Sequence, residues 1–237
     1  MTAGQLSPPR EAIDDFAAFG VRAFTTTRGA GSFSTHGVEP VGEVTERWSA
    51  LRRDLASGGP RFATAAQVHG ARVVVHAPGW DGWLRVDGAD GHACLERGTG
   101  MAVTIADCVP IFIAHPSGAI ALLHSGWRGT VARIVEQGIE ALARRGVPTP
   151  ELHVHLGPSI CGRCYEVSAD VYGRLTRRSA AAPTTVDLRA LIADQARAAG
   201  VRHLSTSPFC TRCDNDRFYS HRAGDAGRQL GVMIAEA

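Results

Sequence analysis

Val109-Pro-Ile-Phe-Ile-Ala-His-Pro-Ser-Gly-Ala-Ile-Ala-Leu-Leu-His124 contains two apolar runs separated by Pro116-Ser117-Gly118. Short apolar runs on either side of a turn signature predict a β-hairpin, here with strands Val109–His115 and Ala119–His124. Across such a turn, residues lie opposite each other when their numbers sum to about 233–235. Cys108 then lies across from residues 125–127, so the hairpin brings its thiol close to the imidazole of His124.

A third candidate ligand, His69, stands in the tight corner Gln67-Val68-His69-Gly70, where a side chain can project from a sheet edge. One thiolate and two imidazoles from separated segments, with a fourth position left open, are typical of catalytic zinc. Zinc lowers the pKa of bound water to about 7 or polarises a substrate oxygen. Taken alone, the same residues also fit a buried core thiol and a hydrogen-bonded histidine at a strand end.

The remaining elements alternate without a regular βαβ rhythm, which predicts a mixed α/β or α+β fold. The other predicted strands are Phe19–Thr26, Arg61–Val68, Arg72–His76, Met101–Ala106, Leu152–Leu156 and Gly231–Ala235. The predicted helices are Glu43–Ala56, a helix capped by Thr130 and stopped by Gly146 and Pro148, Glu166–Arg178, and Leu188–Ala199 with Asp187 as its cap. We expect residues 1–15 to form a flexible tail and residues 16–237 a single catalytic domain.

The composition is that of an ordinary globular protein. The chain has 237 residues, 44% of them hydrophobic and 20% charged, with a net charge of +2. So small a charge argues against nucleic acid and membrane surfaces as partners. No stretch approaches the roughly 18 apolar residues of a membrane span, and no signal peptide is visible. We therefore expect a cytoplasmic protein.

All 25 cationic side chains are arginine, since the sequence contains no lysine. This excludes Schiff-base chemistry on lysine and P-loops that depend on lysine. An anion must then be held by arginine, by other polar donors, by backbone amides or by a metal.

Two Cys-x-x-Cys pairs, Cys161 with Cys164 and Cys210 with Cys213, form a second candidate cluster. Four such thiolates could hold a structural zinc ion. The 45 residues between the pairs exceed the usual spacing of a zinc ribbon, so ordinary thiols, a disulfide and a redox pair stay open as alternatives. The number of metal ions per chain distinguishes a four-thiolate site from the rest.

A series of short motifs follows one order along the chain. The motifs are Phe24-Thr-Thr-Thr-Arg28, Gln67-Val-His-Gly70, Ala106-Asp-Cys-Val-Pro110, His124-Ser-Gly-Trp-Arg-Gly129, Gly157-Pro-Ser-Ile160, Tyr165-Glu-Val167, Val186-Asp-Leu188, Cys210-Thr211, Phe218-Tyr-Ser220 and Gly227-Arg228. Together they resemble the YfiH or laccase-domain family, also labelled polyphenol oxidase and peptidoglycan editing factor. The resemblance implies a single-domain, layered α/β/β/α sandwich and a zinc ion on His69, Cys108 and His124.

The resemblance also implies phosphorolysis of adenosine, inosine, guanosine or methylthioadenosine, and deamination of adenosine. The expected partners are therefore a purine nucleoside and phosphate, bound by a monomer or weak homodimer. Arginines must position the phosphate. The candidates are Arg28, Arg222 with neighbouring Tyr219, and Arg128, for each of which a surface or structural salt bridge is the alternative. Asp107 could orient a metal ligand, transfer a proton or cap the strand end.

Other functions stay open at this point. A copper oxidase is disfavoured because it needs many paired histidines, and His153-x-His155 is the only such pair. Hydrolytic editing of cell-wall precursors is compatible with the same metal, and a non-enzymatic binding module is a further alternative. The sequence departs from the family at Ser34–Gly42, which lacks a Ser-Leu-Asn segment, and at Arg47-Trp48, which replaces Asn-Arg. Substrate contacts from this region are therefore in doubt.

Overall fold

The structure, a computed structural model, describes residues 8–37 and 39–237. Numbered in chain order, its strands are β1 (Arg10–Ile13), β2 (Val21–Thr26), β3 (Arg61–Ala66), β4 (Val73–His76), β5 (Gly82–Asp87), β6 (Gly91–Cys94), β7 (Thr99–Ile105), β8 (Val109–Ala114), β9 (Ile120–Ser125), β10 (His153–Leu156), β11 (Glu166–Val167), β12 (Thr184–Thr185), β13 (His203–Thr206) and β14 (Gln229–Ala235). The α-helices are α1 (Val41–Leu55), α2 (Trp127–Val131), α3 (Ile134–Ala143), α4 (Ala169–Thr176) and α5 (Leu188–Ala198).

Two six-stranded mixed sheets form the centre of the molecule. The first sheet has the strand order β1-β2-β14-β7-β3-β5, and the second has the order β13-β10-β8-β9-β6-β4. Helix α1 packs on the outer face of the first sheet, whereas α3 and α5 pack on the outer face of the second. The fold is thus the layered α/β/β/α sandwich that the resemblance implies.

Strand β8 shows how the sequence builds these layers. Its side chains alternate between the two faces, as in any strand. Phe112 and Ala114 lie in the core between the sheets, together with Met101 and Met233, while Ile111 and its neighbours on the same face pack against the helices. A strand buried on both faces needs an uninterrupted apolar run, and the sequence Val-Pro-Ile-Phe-Ile-Ala of β8 provides one.

The predicted hairpin is confirmed by the pairing of β8 with β9. Val109 lies opposite Ser125 and Pro110 lies opposite His124, in antiparallel register. This register falls within the range expected from the Pro116-Ser-Gly118 turn. Cys108, one residue before β8, therefore sits beside the end of β9.

Two predicted helices differ from those in the structure. The helix expected to begin at Thr130 is divided into α2 and α3, because Arg133 adopts a left-handed backbone conformation with φ of +60°. Thr130 lies inside α2 and its hydroxyl donates to the carbonyl of Gly126, so it is not the cap. The helix predicted from Glu166 begins later, because Ser168 accepts a hydrogen bond from the Val171 N–H and caps α4.

The N-terminal segment expected to be a tail contains regular structure in its described part. Arg10–Ile13 forms the edge strand β1, which pairs with β2, and a 3-10 helix follows from Asp14 to Phe19. Residues 1–7 lie outside the described residues. Sequence reasoning also missed β5, β6, β11, β12 and β13, which lack a continuous apolar run.

None of the helices in the described ranges combines the length and the apolar character that crossing a lipid bilayer demands. The cytoplasmic location and the monomeric or weakly dimeric state expected from the sequence stay predictions.

A buried pair of histidines makes the stability of the fold depend on pH. His92 in β6 is buried with its Nδ1 2.9 Å from Nε2 of His76. Burial, followed by the neighbouring charge of His76, lowers the pKa of His92 from 6.5 to about 3. Between these two values the unfolded chain binds more protons than the folded chain, so this contribution to stability is complete above pH 6.5 and declines as the pH falls.

The unsubstituted chain should lose unfolding free energy between pH 7 and pH 5. In His92→Phe we expect this loss to be smaller by about 2 kcal/mol, because the substituted side chain does not titrate. Urea denaturation at the two pH values measures this difference. His36→Phe, at an exposed position, serves as the control and should leave the difference unchanged. An equal loss in the His92→Phe and unsubstituted chains would contradict the assignment.

Candidate metal centre and substrate cleft

His69, Cys108 and His124 converge where the two sheets meet. One donor atom from each residue lies within 4.8 Å of the other two, and the two imidazole rings meet edge to face with centroids 4.8 Å apart. His124 is buried, Cys108 is half-buried and His69 is exposed. The structure thus brings together the three residues selected from the sequence, and they could hold one metal ion.

The local chain geometry leaves room for these donors. Gly126 follows the end of β9, and a Cβ atom there would lie 2.9 Å from the Cys108 sulfur and 3.3 Å from Cδ2 of His69. Any larger residue would therefore displace a ligand. This accounts for the glycine in the His124-Ser-Gly-Trp motif.

Both turns that present the ligands have unusual backbone conformations. His69 has φ of +59° and Asp107, which precedes Cys108, has φ of +79°. Left-handed conformations of residues other than glycine cost of the order of 1–3 kcal/mol and are retained where surrounding contacts enforce them. The two turns are therefore held by the hydrogen bonds around them.

Asp90 supplies the contacts that hold the first of these turns. Its Oδ1 accepts hydrogen bonds from the backbone N–H of His69 and from Nδ1 of His124, both at 2.9 Å. Its Oδ2 accepts from the N–H of Gly70 at 2.7 Å and from that of Val68 at 3.2 Å. Because Nδ1 of His124 is bound to Asp90, its Nε2 is the ring nitrogen that faces Cys108 and that can bind a metal.

Sequence reasoning missed Asp90. Its position in Gly88-Ala-Asp-Gly91, just before a short strand, was the only local signal. The side chain is fully buried. Burial raises the pKa of this carboxyl group, but the hydrogen bonds from His124 and Gly70 outweigh burial and lower it. Asp90 is therefore ionised at neutral pH.

The electrostatics of Cys108 favour its metal-binding form. Burial raises the pKa of the thiol, but the charge of His124 and hydrogen bonds from His124 and His69 lower it to about 6. For His124, burial lowers the pKa, and the charge of Cys108 together with Asp90 raises it above its ordinary value. A thiolate is the form of cysteine that coordinates metals.

Asp107 fixes the second turn to the C-terminal part of the chain. Its Oδ1 accepts from the hydroxyl of Thr211 at 2.6 Å, and its Oδ2 accepts from the backbone N–H of Arg222 at 2.7 Å. Both carboxylate oxygens are thus bound to protein groups beside a ligand. A positioning role accounts for these contacts, and the role in proton transfer stays a prediction.

Arg28 and Tyr219 contact each other beside the C-terminal loops. The Arg28 guanidinium donates to the carbonyls of Asn215 and Phe218 and to Asp225, at 2.9, 3.2 and 2.7 Å. It also stacks over the Tyr219 ring at 4.4 Å. These contacts tie the segment after β2 to the C-terminal loops and give both residues a structural role. Their part in binding phosphate stays a prediction.

Arg222 and Arg128 lie closer to the centre, around Tyr165. The Arg222 guanidinium is 5.2 Å from the centre of the Tyr165 ring. Burial and the charge of Cys108 raise the pKa of Tyr165 to about 12, while the charges of Arg222 and Arg128 oppose this shift. Two of the predicted arginines therefore share one neighbour with the metal ligand Cys108.

A cleft of about 690 Å³ opens on the metal ligands. Its walls include aromatic residues, small residues of β3 and β7, and several cationic or polar side chains. Besides His69, Cys108 and His124, the lining includes Phe33, Ser34, Thr35, His36, Trp48, Trp83, Arg85, Ala102, Ala106, His221 and Arg228. Sequence reasoning missed most of this wall, because its residues come from distant segments that share no motif.

The segment that departs from the family pattern contributes to this wall. Ser34, Thr35 and His36 line the cleft together with Trp48. Arg47 supports the segment by donating to the carbonyl of Ser32 at 2.8 Å. This region therefore belongs to the cleft even though it lacks the Ser-Leu-Asn and Asn-Arg residues.

We expect Asp90→Asn to weaken metal binding by about 10- to 100-fold, because it removes the charge that orients His124 and the 67–70 turn. Competition with a chelator of known affinity measures the change, and circular dichroism verifies that the variant is folded. Asp87→Asn, at an exposed position three residues earlier, is the matched control. Equal affinities of the two folded variants would show that Asp90 does not support the site.

Comparisons with known proteins agree with this architecture. The profile of the family described as multi-copper polyphenol oxidoreductase laccase matches residues 29–236. A purine nucleoside phosphorylase of Streptomyces coelicolor is 34% identical over 200 residues, which cover 81% of this chain and 82% of that protein. An adenosine deaminase from an unknown prokaryotic organism is 31% identical over an alignment of 242 positions, which covers 90% of each chain.

The fold is also that of a solved structure. The hypothetical protein YfiH of Bacillus licheniformis superposes with a TM-score of 0.87 at 20% identity, over 97% of both chains. The match extends over nearly all the described strands and helices. The family profile covers residues 29–236, which include His69, Cys108 and His124, and relatives at 31–34% identity cover most of the chain, so this chain belongs to the laccase-domain family.

Proposed function

We propose that this protein is a zinc-dependent purine nucleoside phosphorylase that also deaminates adenosine. The observation that carries the proposal is the opening of the cleft onto His69, Cys108 and His124. Its volume of about 690 Å³ lies within the range of about 300–1,000 Å³ for small-molecule sites. The names of two relatives, a purine nucleoside phosphorylase and an adenosine deaminase, support this substrate class.

The composition of the cleft suits a nucleoside. Phe33, Trp48 and Trp83 provide flat apolar surface, and Trp83 is held in place by a hydrogen bond from its Nε1 to Thr64 at 2.9 Å. Ser34 and His221 add polar groups that can bind ribose hydroxyls. A purine has apolar faces and the ribose has polar edges, so a mixed wall of this kind can bind both.

The donor set favours zinc over copper. One thiolate and two imidazoles with an open position are typical of catalytic zinc. Within residues 8–37 and 39–237, the metal-binding clusters are this triad and a group of four cysteines. Oxidation by several coppers requires histidine-rich sites, so the family's description as multi-copper oxidases does not fit these residues.

Each protein group has a defined task in this proposal. When zinc is bound, it supplies Lewis acidity and an activated water. Asp90 binds Nδ1 of His124 and leaves Nε2 as the metal donor. The charge of His124 lowers the pKa of the Cys108 thiol and so favours the thiolate, and Gly126 keeps the space around the sulfur open. Arg222 and Arg128 bind the phosphate beside Tyr165, with Asp107 fixing the backbone of Arg222.

The activity itself is tested with purified, zinc-loaded protein and adenosine, and the products are separated by liquid chromatography. We expect adenine and ribose-1-phosphate only when phosphate is present, and inosine with or without it. His124→Ala should remove both activities, whereas His203→Ala, outside the cleft, should retain them. Absence of product from adenosine, inosine, guanosine and methylthioadenosine, with zinc bound, would contradict the proposal and favour cell-wall precursor editing.

The phosphate site makes a separate prediction. Arg222→Gln should raise the KM for phosphate about 10- to 100-fold, as expected for loss of a charged hydrogen bond, while adenosine deamination changes little because it needs no phosphate. Arg144→Gln, an exposed arginine paired with Glu140, is the control. Equal losses of phosphorolysis and deamination in Arg222→Gln would mean that Arg222 acts on the whole site and not on phosphate.

A further inference from the structure

The four cysteines of the two Cys-x-x-Cys pairs meet at one point, although 45 residues separate the pairs in the sequence. Their sulfur atoms all lie within 4.8 Å of one another, and those of Cys164 and Cys213 are 3.5 Å apart. Zinc with four thiolates at about 2.3 Å places neighbouring sulfurs about 3.8 Å apart. We propose that Cys161, Cys164, Cys210 and Cys213 hold a second zinc ion, which is structural.

Backbone N–H groups in the two turns point at a sulfur atom of the cluster. The Cys210 sulfur accepts hydrogen bonds from the backbone N–H of Cys161 at 3.2 Å and from that of Cys213 at 3.5 Å. Backbone donors aimed at sulfur stabilise the thiolate and fix its direction, as the surroundings of metal ligands do.

The charges around the cluster suit a metal bound by four thiolates. Four thiolates and one Zn²⁺ carry a net charge of −2, which requires positive neighbours. Each Cys-x-x-Cys turn contains one arginine, Arg163 in the first and Arg212 in the second. The Arg212 guanidinium donates to the carbonyl of Cys164 at 3.3 Å, and so joins the two turns.

Long-range pairing, and not local spacing, brings the turns together. A parallel bridge links Ser159 with Cys210, and the N–H of Thr211 donates to the carbonyl of Ser159 at 3.2 Å. The intervening chain forms β11, α4, β12, α5 and β13. The usual spacing between the two Cys-x-x-Cys pairs of a zinc ribbon does not apply here, because helices and strands are inserted between the pairs.

Four protein ligands fill the coordination of zinc, so this ion has no open position and stabilises structure. It fastens the 159–165 segment to the 207–214 segment. Thr211, between two of the ligands, donates to Asp107 next to Cys108. The second ion therefore supports the first centre without sharing a ligand with it.

The proposal is tested by counting metal ions in the full chain, purified with zinc, by plasma mass spectrometry. We expect two zinc ions per chain, one in the double variant Cys161→Ser/Cys164→Ser and one in Cys108→Ala. Cys94→Ala, outside both clusters, is the control and should retain two. One zinc ion per chain that persists in the double variant and disappears in Cys108→Ala would overturn the proposal, as would iron in place of zinc.

A second measurement covers the case in which the double variant does not fold. Cobalt bound to Cys108→Ala should give the intense sulfur-to-cobalt absorption of a tetrathiolate site. Adding Cys213→His to that chain should retain the metal and shift the spectrum, because three thiolates and one imidazole also form a zinc site. Lack of any cobalt absorption in folded Cys108→Ala would overturn the proposal.

Discussion

The buried carboxylate of Asp90 is the constraint on which the candidate metal centre depends. The corner at residues 67–70 crosses from β3 of the first sheet to β4 of the second, and its backbone N–H groups turn toward Asp90. The same carboxylate orients His124 at the end of β9. Removing one partner of a buried charge costs about 3–5 kcal/mol. The corner that connects the two sheets and the placement of His69 and His124 therefore rest on one set of hydrogen bonds.

This dependence explains how far the sequence could predict the site. The pairing of Cys108 with the end of β9 was predictable, because a short turn fixes the register of its own hairpin. His69 could be placed beside them only through the family resemblance, because the corner crosses between sheets. Asp90 has no motif, and its importance follows from burial, which a short polar stretch does not reveal. The helix division at Arg133 escaped prediction for a similar reason, since the apolar pattern continues across it.

The absence of lysine has a structural counterpart in the C-terminal loops. Arg28, Arg189 and Arg228 each donate to two or more backbone carbonyls of the C-terminal loops. A planar guanidinium can bind several carbonyls at once, which an ammonium group on a flexible stem does less well. The motif Phe24-Thr-Thr-Thr-Arg28 identified Arg28 as a family residue, but a motif does not show which groups the side chain contacts. Its place in a motif is therefore compatible with a role in holding loops.

The backbone and the side chain of His69 have different tasks. The backbone forms the left-handed corner of the fold, and the side chain is a candidate metal ligand. Asparagine adopts this conformation readily, so a single change from histidine to asparagine would keep the corner and its contacts with Asp90 while deleting a ligand. A descendant chain could then lose turnover and still fold in the same way. Within such a lineage, shared architecture alone does not distinguish active members from inactive ones.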